Sequence, residues 1–149
     1  MRPLKLSGDE GSAALEFVTA GFLLLIPLVY LVLAMSAIQG GALSVEGASR
    51  QAARVFVQAG DAGSAQARAQ TAVDFALDDF GLAATASTVE ISCRPNPAAC
   101  LTRRGFVTVT VTASVPLPLV PNVLALNTPL SIPIRATSTE QVSRFWGAG

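Results

Sequence analysis

Phe17 to Ile38 reads FVTAGFLLLIPLVYLVLAMSAI, 22 residues with no formal charge, inside a longer uncharged stretch of 29 residues between Glu16 and Glu46. As a helix rising 1.5 Å per residue, the 22-residue run reaches roughly 33 Å. That matches a bilayer whose hydrocarbon core is about 30 Å thick. A core helix of a small domain is rarely apolar all round for this length, so the run predicts a membrane-spanning helix.

The rest of the composition follows from this segment. The 149-residue chain is 51% hydrophobic and only 13% charged, with 10 basic and 10 acidic side chains. Balanced charge with no basic stripe along the chain argues against direct nucleic-acid binding, which needs clustered cations to displace phosphate counterions. The chain has no His and only two Cys. It therefore lacks the commonest general base and the ligands of a tetrahedral zinc site. Ser143 or Thr102 as a nucleophile would have no His, and the sole Lys is Lys5, ahead of the apolar run. The reading is a non-enzyme with no cofactor and no metal.

Arg2 and Lys5 precede the span, and basic residues weigh more than Asp9 and Glu10 in setting orientation. The N-terminus is expected in the cytoplasm and the later residues on the far side of the cytoplasmic membrane. Two Cys in such an oxidising place favour a disulfide. Cys93 and Cys100 enclose RPNPAA, whose two prolines suit a reversing loop. Two unpaired apolar Cys are the alternative; a redox pair is disfavoured because the spacing is not C-x-x-C.

Beyond the span, Ala42 to Ala59 repeats apolar residues at spacings of three and four: Val45, Ala48, Ala52, Val55, Phe56 and Ala59. Glu46, Arg50 and Arg54 lie opposite. The helix is expected to continue as an amphipathic half, with Pro27 and the Gly40-Gly41 pair as weak points for a kink. A second helix is expected from Ala65 to Phe80, with Ser64 as N-cap and Gly81 as stop. Its Asp74, Asp78 and Asp79 read as a solvated face, since aspartates on one helix lack the looped oxygen array that calcium prefers.

After Gly81 the period changes to two. Val89, Ile91 and Cys93 alternate with polar residues, FVTVTVTAS over 106–114 is the clearest strand, and Leu130, Ile132, Ile134 and Ala136 repeat the pattern. A small three-stranded antiparallel sheet, wet on one face and covered by the helices on the other, completes an α+β fold. Between the last two strands, VPLPLVPNVLALNTP is either a loop folded on the core or an exposed apolar patch.

The start of the chain admits two readings. An ordinary secretory signal would be cut near Ala37, after the small residues Ala34 and Ser36, but such signals have apolar runs of only about 7 to 15 residues. The other reading fixes on GSAALEF, residues 11–17. A short charged leader, this motif and the apolar run behind it resemble the class III signal sequence of type IV pilins. Together with the Ala/Arg-rich continuation GASRQAARVFVQA, residues 8 to 59 resemble the TadE-like family, minor pilins or pseudopilins of tight-adherence (Flp) pilus systems. Over the remainder the likeness is one of architecture only.

The resemblance implies cleavage between Gly11 and Ser12 by a prepilin peptidase at the cytoplasmic face, with Glu16 as the assembly residue. It divides the chain into a leader (1–11), a transmembrane and amphipathic helix (12–59) and an extracytoplasmic α+β head (60–149). It also implies other pilin and pilus-assembly subunits as partners, and eventual residence in a pilus. Major Flp pilins are little more than the helix, so a chain with a head is expected to be a minor subunit. The physical case for Glu16 is separate: a carboxylate deep in lipid costs about 2.5 to 3.5 kcal/mol or more unless partnered. A freed amine at Ser12, one helical turn away, would partner it. The alternative is a single-pass anchored binding or structural module that enters no pilus.

Overall fold

A computed structural model of the chain describes residues 10–83, 85, 87–118 and 130–147. Its elements follow the order α1 (Glu10–Val57), α2 (Ala62–Asp78), β1 (Ser87–Arg94), β2 (Phe106–Pro116) and β3 (Ser131–Gln141). The α+β class is as the sequence predicts.

α1 is one continuous helix of 48 residues, running through both Pro27 and the Gly40-Gly41 pair without interruption. Its length is about 72 Å. The helix has two halves of opposite character. From Leu15 to Met35 its large apolar side chains stand exposed, whereas Val45, Ala48, Ala52, Ala53 and Phe56 are buried, as is Ala59 just beyond its end. The second half is the middle of the head: it packs on α2 and also on β2 and β3. Small residues allow both approaches. Adjacent glycines face different partners, Gly40 towards Phe80 and Gly41 towards Val115.

The helices do not share the task of covering the sheet. α1 lies against the strands, while α2 packs chiefly on α1 through Ala65, Ala69, Val73 and Leu77. α2 also begins earlier than Ser64 suggests. Asp61 is the N-cap: its carboxylate accepts from the Ser64 N–H at 2.9 Å and from the Ser64 hydroxyl at 2.6 Å. An Asp with a Ser three positions on satisfies two donors at once, so the helix starts at the first acceptor available. The C-terminus closes as a Schellman turn. Leu82 N–H donates to the Leu77 carbonyl at 3.0 Å and Gly81 N–H to that of Asp78 at 2.8 Å. Gly81 adopts φ 68°, the left-handed conformation this turn requires. The Ala76 carbonyl accepts instead from the Ser44 hydroxyl of α1, at 2.9 Å, tying the helices together.

The sheet has the order β1-β2-β3 and is antiparallel throughout, with Val89 opposite Val111 and Val111 opposite Ala136. Val107, Val109, Val111, Ala113 and Val115 point into the core. On the other face hydroxyls pair across β2 and β3, Thr108 with Thr139 at 2.8 Å and Thr110 with Thr137 at 3.1 Å. Arg135 reaches Glu90 at 3.1 Å on the same face. Leu117 and Leu130, joined by a hydrogen bond from the Leu117 N–H to the Leu130 carbonyl at 3.0 Å, flank the Pro-rich segment. Residues 119–129 of that segment lie outside the described residues.

Candidate functional site: the amino-terminal helix and its junction with the head

The residues singled out at the N-terminus lie on one element. Gly11 and Ser12 fall in the first turns of α1, and Glu16 follows on an exposed stretch of the same helix. Four residues of helix separate Ser12 from Glu16, a rise of about 6 Å. In this geometry an amine at Ser12 and the Glu16 carboxylate would be one turn apart on the same side.

Past Glu16 the helix suits lipid in two respects. It is long and apolar enough to cross a membrane, and none of its most apolar window is buried by the rest of the protein. Its hydroxyl at Thr19 is satisfied internally, donating to the Leu15 carbonyl at 2.7 Å, so it presents no unpaired donor to hydrocarbon. Pro27 sits in a shallow apolar groove formed with Phe22, Leu25, Ile26, Val29 and Tyr30.

The head begins where this run ends. Gly41 is buried, only three residues past Ile38. α2 returns antiparallel to α1, so Phe80 lies beside Gly40 and Ala76 beside Ser44. β2 descends until Val115 meets Gly41. The opposite end of the head is closed by Trp146, whose indole N–H donates to the Ala59 carbonyl at 2.9 Å.

Cys93 and Cys100 form a disulfide, with Cα atoms 5.1 Å apart, the pairing expected from the sequence. It closes the loop at the end of the head far from the apolar run. The sequence has no basic stripe, yet the fold gathers arginines at that end. Arg94 closes β1, Arg103 and Arg104 precede β2, and Arg144 follows β3. Arg103 Nε donates to the Trp146 carbonyl at 2.9 Å, Arg104 N–H to that of Val142 at 3.1 Å, and Arg144 lies over the Phe145 ring at 4.6 Å. Among the described residues the ion pairs are Arg50–Glu46 and Arg135–Glu90, which leaves these four arginines outside any pair. The signal was available in principle, because each sits at a strand end that an antiparallel order brings to one pole.

Asp74, Asp78 and Asp79 lie on or just past α2, and among the described residues no group of three or more His, Cys, Asp or Glu is placed to hold a metal ion. Comparison with profiles of protein families, with curated proteins and with solved structures gives no match to this chain.

Proposed function

We propose that the chain is a pilin-like minor subunit or pseudopilin that takes part in assembling a tight-adherence (Flp) type IV pilus at the cell envelope. The observation that supports this reading most is the division of α1. One half is apolar and uncovered with GSAALEF at its start, and the other half is the core of a small disulfide-bonded head. A helix built this way can exchange lipid for neighbouring helices without disturbing the head. Bare apolar surface of this extent marks a segment that contacts lipid or other apolar chains.

In this mechanism α1 holds the subunit in the cytoplasmic membrane with its N-terminus in the cytoplasm. Prepilin peptidase hydrolyses the Gly11–Ser12 bond, leaving an ammonium group on Ser12. Glu16, at the hydrocarbon boundary, pairs with that group or with the equivalent amine of an adjacent subunit, which offsets the cost of taking a carboxylate into an apolar bundle. Neither step needs a cofactor.

The test is the mass of the mature N-terminus in cells that make such pili. Ser12 as first residue is the expected result. A chain that keeps Met1 would be an uncleaved membrane-anchored module, and one that starts at Ala37 a secreted head. Either result defeats the proposal.

A further inference from the structure

The end of the head nearest the apolar run is ringed by large apolar side chains left in solvent. Leu43 of α1, Phe75 and Phe80 at the end of α2, and Leu130 and Ile132 at the start of β3 are all exposed, Phe75 by 69% and Phe80 by 52%. Phe80 and Ile132 lie level with Gly40 and Gly41, Leu130 lies two strand residues below them, and Leu43 and Phe75 lie about 3 to 6 Å above. Phe80 is beside Gly40, Ala76 is bonded to Ser44, and Ile132 pairs with Val115, which touches Gly41.

With Phe17 to Ile38 filling the hydrocarbon, the level of Gly41 falls at the membrane surface. Gly41 is three residues past Ile38, about 4.5 Å along the helix. The head-group layer on each side of the hydrocarbon is about 5 to 7 Å thick. No spacer separates head from bilayer, so Phe80, Leu130 and Ile132 fall within or below the head-group layer and Leu43 and Phe75 at its outer edge, from which Phe and Leu side chains can bury their surface against the upper acyl chains.

Charge narrows the partner. Asp78 and Asp79 immediately precede Phe80, whereas the basic residues nearest the ring stand back from it. Arg50 is six residues beyond Ser44, and Arg135 is opposite Thr112, three residues up β2 from Val115. Each lies about 10 Å above the ring. A base of this kind draws nothing from anionic lipid and depends on apolar burial alone.

We infer that the ring of Leu43, Phe75, Phe80, Leu130 and Ile132 is a lipid-contacting base that seats the head on the head-group layer of a zwitterionic bilayer. The seat fixes the head upright and holds its arginine-bearing pole away from the membrane. This rests on the membrane-spanning part of the proposed function and not on leader cleavage or pilus assembly.

The test uses the full chain in phosphatidylcholine vesicles with acyl chains brominated near the glycerol end. Trp146 is the single tryptophan and is bonded to Ala59, about 27 Å farther along α1 than Gly41. Its emission should be unchanged by the bromines. Phe80→Trp and Leu130→Trp should each add emission, more than half of which the bromines quench, with no dependence on salt. Phe22→Trp reports insertion of the span itself. Quenching in either ring variant, with Trp146 unaffected, supports the seat. No quenching in both ring variants while Phe22→Trp is quenched overturns the seat and leaves the span standing. An unquenched Phe22→Trp removes the span, and the seat with it. Quenching of native Trp146 means that the head lies flat on the bilayer, which also overturns an upright seat.

Discussion

Gly41 and Val115 are packed with no room between them: a Cβ on Gly41 would stand 2.3 Å from Val115 Cγ2. This is where the helix, having left the apolar run, lies tightest against the sheet. Val115 is itself buried and, being β-branched, has little freedom to turn aside.

Gly41→Ala should therefore destabilise the head. Replacing a helical glycine by alanine gains about 1 kcal/mol of helix propensity. Overpacking a filled site costs about 1 to 3 kcal/mol. The clash should win, and a second change, Val115→Ala, should restore part of the loss. Gly47→Ala, with nothing within 4 Å of the new Cβ, should by contrast stabilise. Thermal melts in detergent micelles, followed by circular dichroism, decide it; equal responses at 41 and 47 would contradict the packing.

The contrast between those glycines marks what a sequence can carry. FVTVTVTAS declares its strand because one periodicity fits both the buried valines and the hydroxyl-paired threonines. Gly40-Gly41 reads as a weak point because propensity sees only the backbone, whereas the structure uses Gly41 as a place for two elements to touch. Ser64 looked like the N-cap for a similar reason. Asp61 precedes it by three residues, and the two hydrogen-bond each other, so local pattern alone does not order them. The layering was not legible at all: α2 has an apolar stripe that fits α1 as well as it fits a sheet. The arginine pole is not local in sequence: the end of β1 and the β1–β2 connection carry Arg94, Arg103 and Arg104, and the segment after β3 carries Arg144, about 40 residues on.

Breaking the Cys93–Cys100 bond should weaken the head without dispersing it. The bridge closes a short loop with a sequence separation of 7. The chain-entropy relation gives about 2 to 3 kcal/mol for a loop of that size. Cys93 is also buried among the core side chains, so Cys93→Ser places a hydroxyl there and should cost more than Cys100→Ser, which sits at the half-exposed end. Denaturant midpoints of the two single variants, compared with the reduced wild type, test the order. Equal midpoints would show that the bridge alone matters.

Glu16→Ala should separate anchoring from assembly. The residue precedes the apolar run and no part of the head covers it, so its loss leaves the span intact and makes insertion slightly easier. Alkaline extraction should find as much variant as wild type in the membrane, while the amount recovered in sheared pili falls several-fold. Glu16→Asp, which keeps the charge on a shorter arm, should fall between them. Undiminished recovery of Glu16→Ala in pili would remove the carboxylate from assembly.

Asp61 makes the stability of α2 depend on acid. Its carboxylate is held below the ordinary aspartate value first by the Ser64 hydroxyl, then by the Ser64 backbone N–H, with smaller help from the Gly63 N–H and from Arg68, against a slight opposing effect of burial. A carboxyl whose folded pKa is depressed favours the folded state once it is ionised. The contribution is complete above its unfolded value, near 4, and is lost as the pH falls through and below that value. Asp61→Asn keeps a side-chain oxygen able to cap the helix but cannot titrate. Between pH 7 and pH 3 the wild type should therefore lose more melting temperature than Asp61→Asn, the difference between the two shrinking as the pH falls below about 4. The remaining carboxylates are common to both proteins and cancel in the comparison. An identical pH response in the two would mean that the Asp61 cap contributes nothing to the fold through its charge.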